Sequence, residues 1–176
     1  MPSDEQLASA LVAGAAGGAA GTTALNAVTY LDMAVRGRST SSAPEDSIEP
    51  LVSRTGLRIP GEEDTRKNRV AGLGLLNGIF VGVGIGAVLG PLNGIFVGVG
   101  VGAVLGLART AGWRPHVLTA GLVTGLGAMA ATDSSMAALG VSDPRTWTLM
   151  DWLSDGVPHL AYGLATAAVA QALDPD

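Results

Sequence analysis

Four side chains near the carboxyl end carry most of the chemical potential of this sequence. Asp151, Asp155 and His159 recur at i, i+4 and i+8, with Tyr162 three residues further on. On a continuous helix that spacing puts two carboxylates and an imidazole on one face. Such a set could hold a divalent cation or relay a proton. Gly156 and Pro158 fall inside the run. The sequence therefore predicts a break, with Asp155 capping the last helix and Pro158 in its first turn. Trp147 and Trp152 then lie on an interfacial approach segment. A second polar face is spaced for one helix: Thr22, Asn26 and Thr29, with Tyr30 beside them. Hydrogen bonds between helices, or the lining of a polar path, are its expected roles.

Other patterns exclude more than they suggest. Asn77 and Asn93 occupy matching positions of a repeat and are expected to satisfy nearby backbone. His116 follows Arg114-Pro115 and is expected in a loop. Gly82-Val83-Gly84 and Gly98-Val99-Gly100 begin like a dinucleotide fingerprint. They have Ala87 and Ala103 at the third small position and lack the strand–turn–helix setting. No HExxH, phosphate-loop or EF-hand pattern occurs. The chain has no cysteine, which removes thiol nucleophiles, disulfides and Cys-ligated metals. The reading expects no catalytic residue, no cofactor, no metal and no enzyme activity.

The elements that would position these groups follow from composition. The 176 residues carry a net charge of −5, and only 14 % are charged against 48 % hydrophobic. A soluble domain carries about 25 % charge. The deficit argues against a disordered acidic tail and against a basic nucleic-acid-binding domain. With 26 glycines and 4 % aromatics, an aromatic-packed core is not expected either. Long uncharged runs separate the charges: 26 residues between Glu5 and Asp32, 39 between Arg69 and Arg109, 18 between Arg114 and Asp133, and 18 between Asp155 and Asp174. A helix crosses the hydrocarbon core in about 20 residues. The fold class expected is all-α: one polytopic transmembrane helical domain over 1–176, with four to five spans in the cell membrane. A cleaved signal peptide is not expected, because Asp4 and Glu5 stand where positive charge should.

Residues 36–69 are the polar exception. They hold seven of the ten basic residues: Arg36, Arg38, Arg54, Arg58, Arg66, Lys67 and Arg69. Interspersed acids make a solvated loop the simpler reading, with docking to anionic headgroups as the functional one. Short loops rich in Lys and Arg stay cytoplasmic. The loop is therefore placed inside and the amino terminus outside.

The longest apolar run contains a tandem repeat over 76–106. LNGIFVGVGIGAVLG at 76–90 returns as LNGIFVGVGVGAVLG at 92–106, differing only at Ile85 against Val101, at an offset of 16. Its glycines form a ladder with a step of four: Gly74, Gly78, Gly82, Gly86 and Gly90, then Gly94, Gly98, Gly102 and Gly106. Small residues at that step let helix backbones approach closely, the glycine-zipper mode of packing. A homo-oligomer or another membrane protein could use the same faces. As one helix the run would measure ~58 Å, almost twice the hydrocarbon thickness. A hairpin turning at Gly90, Pro91 and Asn93 is favoured over one long helix or a β-hairpin. That gives five spans, with the carboxyl terminus inside. The long-helix alternative gives four spans and puts Arg109 and Arg114 outside.

Three stretches carry a resemblance: 22–32 (TTALNAVTYLD), Arg36-Gly37-Arg38 with Pro44-Glu45, and DPRTW at 143–147 followed by DWLSDGVPHLAYG at 151–163. They resemble a group of small, uncharacterised multipass membrane proteins of actinobacteria. The resemblance implies a membrane location and a helical fold, and brings no activity, substrate or cofactor. The second LNGIFVGVG copy departs from it. Three functions remain open: a non-enzymatic packing or assembly role in the bilayer, permeation or proton-linked transport through Asn26, Asp151, Asp155, His159 and Tyr162, and an enzyme or accessory handling a lipid-soluble substrate near His159.

Overall fold

The computed structural model describes residues 2–39, 46, 48–56, 58–80 and 95–174. The described residues are helical, with no strand among them. The six α-helices are α1 (Asp4–Arg36), α2 (Ile48–Arg54), α3 (Glu63–Phe80), α4 (Ile95–Thr110), α5 (Val117–Leu139) and α6 (Leu149–Leu173). A 3-10 turn, Pro144–Thr146, lies between α5 and α6. The expected turn at Gly90, Pro91 and Asn93 lies outside the described residues, as do Gly82, Gly86 and Gly94.

Capping explains where the long helices begin and end. Ser3 and Gln6 form a capping box at the start of α1, Asp4 and Glu5 follow in the first turn, and Gly37 ends the helix at φ +65. Acids at the amino end and Arg36 at the other complement the helix dipole. His116, expected in a loop, is the N-cap of α5 and accepts from the Leu118 amide. The break expected at Gly156 and Pro158 does not occur. Thr148 caps α6 and pairs reciprocally with Asp151, so Asp155 and Pro158 lie inside one continuous helix. The capping box starts the helix seven residues earlier than an Asp155 cap would, and Pro158 costs only the bond that its missing N–H would make to the Ser154 carbonyl.

Four of the helices lie in the spatial order α4, α1, α6, α5, with α4 also touching α5 and α6. Small residues set the spacing. Ala10, Gly14 and Gly18 of α1 face Gly106, Gly102 and Gly98 of α4, and a Cβ on any of those five glycines would fall within 3.0 Å of a facing atom. A second α1 face, Gly17 and Gly21, meets Thr166, Ala170 and Tyr162 of α6. Gly121 and Gly125 of α5 meet Gly163, Leu164 and His159 of α6. Of the expected ladder, Gly98, Gly102 and Gly106 stand at these approaches. Gly74 is buried, and Gly78 lies on α3.

These pairings fix helix direction. Ala10 opposite Gly106 and Gly18 opposite Gly98 make α4 antiparallel to α1. Arg109, Arg114, Gln171 and Asp174 therefore gather at the end where α1 begins, joined by Arg109–Asp174 at 3.2 Å, Arg114–Asp174 at 3.7 Å and a Gln171 bond to the Pro115 carbonyl at 3.1 Å. The opposite, loop end holds Arg36 against Ser154, and Arg54 donating to the Ala138 carbonyl at 3.1 Å. This corrects the five-span topology, which made α4 parallel to α1 and sent the carboxyl end to the loop side. The two glycine ladders interlock in the antiparallel sense, so the chain leaves α1 and enters α4 at the same end. The choice between a hairpin and one long helix falls on residues 81–94, which lie outside the described residues; α3 and α4, on either side of them, touch.

Among the described residues one helix, Asp4–Arg36, is long and apolar enough to cross a membrane. The apolar stretch Val97–Thr110 is shorter.

Candidate functional site

The polar group with the most chemical capacity lies between α5 and α6, toward the loop end. His159 is buried. Its Nδ1 lies 2.9 Å from the Asp155 carbonyl and 3.4 Å from the Asp155 carboxylate, one helical turn back. Its Nε2 lies 3.4 Å from the Thr132 hydroxyl of α5. Thr132 in turn donates toward the carbonyls of Met129 at 2.9 Å and Ala128 at 3.2 Å. Asp133, beside Thr132, is close enough to Asp155 and His159 to feel both charges. The second Asp155 oxygen is buried without a hydrogen-bond partner.

Counting protons shows what this arrangement can do. Nδ1 faces two oxygens, so the proton belongs there. With Nε2 unprotonated, the single Thr132 hydrogen must choose between the ring and a carbonyl. With Nε2 protonated, the ring donates to Thr132 and Thr132 donates to Met129, so every donor finds an acceptor. The Thr132 hydroxyl can therefore donate to the ring or accept from it, and the tautomer decides which.

Other expected site residues are placed elsewhere. Asp151 is exposed and accepts from the Thr148 hydroxyl at 2.7 Å and the Thr148 amide at 2.8 Å, so its oxygen serves the cap. Tyr162 is 2 % exposed and donates to the Gly98 carbonyl at 2.6 Å, tying α6 to α4 across α1. Asn26 is exposed and Tyr30 is 62 % exposed, while Thr22 donates back to Gly18 at 2.9 Å. The structure thus brings together Asp155 and His159 and leaves Asn26, Asp151 and Tyr162 apart from them. Among the described residues, no three His, Asp or Glu side chains converge to hold a metal ion.

Thr132 and Asp133 are the members that sequence reasoning missed. Asp133 entered it only as the edge of an uncharged run. The available signal was the small-residue spacing Gly121, Gly125 against Gly163, which sets the α5–α6 register and carries Asp133 toward His159.

The linker before α6 is also ordered. Arg145 donates to Asp143 at 2.9 and 3.2 Å, and its side-chain and backbone hydrogen bonds hold the Asp143 carboxyl below the usual range. Trp147 donates to Ser142 at 3.0 Å and meets Trp152 edge-on at 5.0 Å.

No known protein family, curated protein or solved structure matches this chain.

Proposed function

We propose that this chain is a multi-pass membrane protein with a non-enzymatic helix-packing or assembly role. One observation carries the reading: large aliphatic side chains point out of the bundle and small ones fill it. Val12, Val104, Leu118, Leu122, Val123 and Leu126 are exposed, whereas Ala10, Gly14, Gly18, Gly102, Gly121, Gly125 and Ala167 are buried. In water this arrangement forgoes about 25 cal/mol for each Å² of apolar surface left outside. In lipid that penalty vanishes, and close packing of small residues is what holds helices together.

The helix directions support four crossings, α1, α4, α5 and α6, with both described ends of the chain on one side. Eight basic residues then lie at the loop end (Arg36, Arg38, Arg54, Arg58, Arg66, Lys67, Arg69 and Arg145) and two, Arg109 and Arg114, at the other. That imbalance supports a cytoplasmic loop. The resemblance to small actinobacterial membrane proteins points the same way. Contacts through outward small positions such as Gly100 and Gly127, which face open space, would serve a second copy or another membrane protein.

The test has two parts. The chain should sediment with membranes and need detergent for extraction. Reporters fused to either terminus should both be active on the non-cytoplasmic side only. A monodisperse species in the soluble fraction without detergent refutes the membrane reading, and reporters on opposite sides refute the four crossings.

A second reading, proton or ion permeation, is favoured by the unpartnered buried oxygen of Asp155 beside His159. It now rests on Asp155, His159 and Asp133, since Asn26, Asp151 and Tyr162 are engaged or placed elsewhere. Proton flux into liposomes that His159→Gln abolishes, with the fold intact, supports it. Wild-type liposomes without flux dismiss it.

A further inference from the structure

Two guanidinium groups meet where α1 ends against the start of α6. Arg36 Nη2 and Arg38 Nε each lie 2.6 Å from the same oxygen of Asp32, Oδ2. Nη2 of Arg36 also donates to the Ser154 hydroxyl of α6, and Nη1 of Arg38 donates to the Ser39 carbonyl at 3.4 Å. A guanidinium has more N–H donors than these bonds use. Among the described residues, Nε and Nη1 of Arg36 and Nη2 of Arg38 make no hydrogen bond. One carboxylate shared by two guanidinium groups leaves both charge and donors for a second anion.

The neighbouring surface is apolar. Leu31 and Val35, one turn apart on α1, are exposed, and so are Leu149, Leu153 and Val157, one turn apart on α6. Trp152 is exposed on the same stretch of α6. Aliphatic rows beneath a charged end suit acyl chains beneath a headgroup, and tryptophan favours that depth. We propose that Arg36 and Arg38 hold the phosphate of an anionic phospholipid at the loop end, with its acyl chains along these leucines and valines.

The chemistry selects the headgroup. The unesterified oxygens of a phosphodiester can accept from both arginines without breaking the Asp32 bonds, and charge-assisted bonds of this kind are strong. Basic sites between membrane helices on the cytoplasmic side take such lipids. A zwitterionic headgroup would bring its own ammonium against the two cations. Asp151 is close enough to Arg36 to feel its charge, but its bonding oxygen is taken by the Thr148 hydroxyl and amide. Its charge opposes a bound anion. The site rests on the membrane reading.

The chain's own tryptophans read occupancy. Trp113 lies past α4 at the opposite end, so Trp113→Phe leaves Trp147 and Trp152 as reporters. This full-length chain is reconstituted in phosphatidylcholine vesicles with increasing fractions of phosphatidylglycerol brominated on its acyl chains, which quenches an adjacent indole. Brominated phosphatidylcholine is the reference. The ratio of the two curves within one variant cancels changes in the tryptophan surroundings.

Brominated phosphatidylglycerol should quench at a mole fraction at least twofold lower than brominated phosphatidylcholine. Arg36→Gln and Arg38→Gln should each at least halve that preference. Arg38 makes no bond to α6, so its variant keeps the α1–α6 contact of Arg36. Arg145→Gln removes the same charge from the same end, but its guanidinium is closed on Asp143, and the preference should stand. Asp151→Asn should increase it. Inorganic phosphate at constant ionic strength should not relieve the quenching.

Equal curves for the two lipids overturn the site. So does an unchanged ratio in both Arg36→Gln and Arg38→Gln, a loss in Arg145→Gln as large as in Arg38→Gln, or a loss in Asp151→Asn. Relief by inorganic phosphate assigns the site to a soluble anion and overturns the lipid. A chain that does not float with the vesicles fails the membrane reading and this site with it, whereas one that floats and quenches alike with both lipids fails the site alone.

Discussion

Replacing Gly18 by leucine tests the packing logic most directly. A Cβ there would fall within 3.0 Å of the Gly98 carbonyl carbon and oxygen and of the Val99 Cα. These are backbone atoms of a helix and cannot swing aside as a side-chain tip can. Relief requires α1 and α4 to separate by about an ångström, and a gap of 0.5–1 Å forfeits roughly a quarter to a half of each dispersion contact along the seam. The neighbouring approaches at Gly14–Gly102 and Ala10–Gly106 open with it. Overpacking a tight site costs about 1–3 kcal/mol, and about 2 kcal/mol corresponds to a fall of about 4–8 °C in Tm for a chain of this size. Gly127→Ala is the control, because nothing lies within 4 Å of a Cβ at that position. Thermal unfolding in mild detergent, followed by loss of helical circular dichroism, reads both variants. Gly18→Leu should fall by the stated amount and Gly127→Ala should stay level or rise. Equal shifts for the two, or a Gly18→Leu transition within about 1 °C of wild type, would refute the close approach.

Three further outcomes follow from single contacts. Tyr162→Phe removes the hydroxyl bond to the Gly98 carbonyl and should cost about 1 kcal/mol, whereas Tyr162→Ala opens a cavity worth about 3–5 kcal/mol; the same detergent melts distinguish them. Asp174→Asn weakens the acceptor of a buried Arg109 and should cost about 1.5–3 kcal/mol, the range for hydrogen bonds to charged groups, with the loss appearing as easier proteolysis at the carboxyl end. His159→Gln keeps a side chain able to bond Thr132 and should retain most of the helical signal and melting temperature, so any loss of proton flux in that variant reports chemistry and not unfolding.

The helical class was written in the residues. Long uncharged runs between charge clusters mark helices by local chemistry, and a local signal needs no partner. The glycine ladder also announced a close helix approach before any partner was known. Its weakness is that a stripe of small residues has no polarity. It says that a backbone can come near, but not whose, nor from which direction. Only the assembled bundle set α4 antiparallel to α1 and brought Arg109 to Asp174. The spacing of Asp151, Asp155 and His159 fitted one helix face, but Gly156 and Pro158 argued for a break, and the Thr148–Asp151 capping box overrode it. Even then a helix offers its faces to several neighbours. Thr148 took Asp151 for the cap, the Gly98 carbonyl took Tyr162 on the α4 side, and α5 brought Thr132 and Asp133 to His159. Which polar groups meet is decided by contacts between residues far apart in the chain, and those depend on how closely each pair of helices can approach.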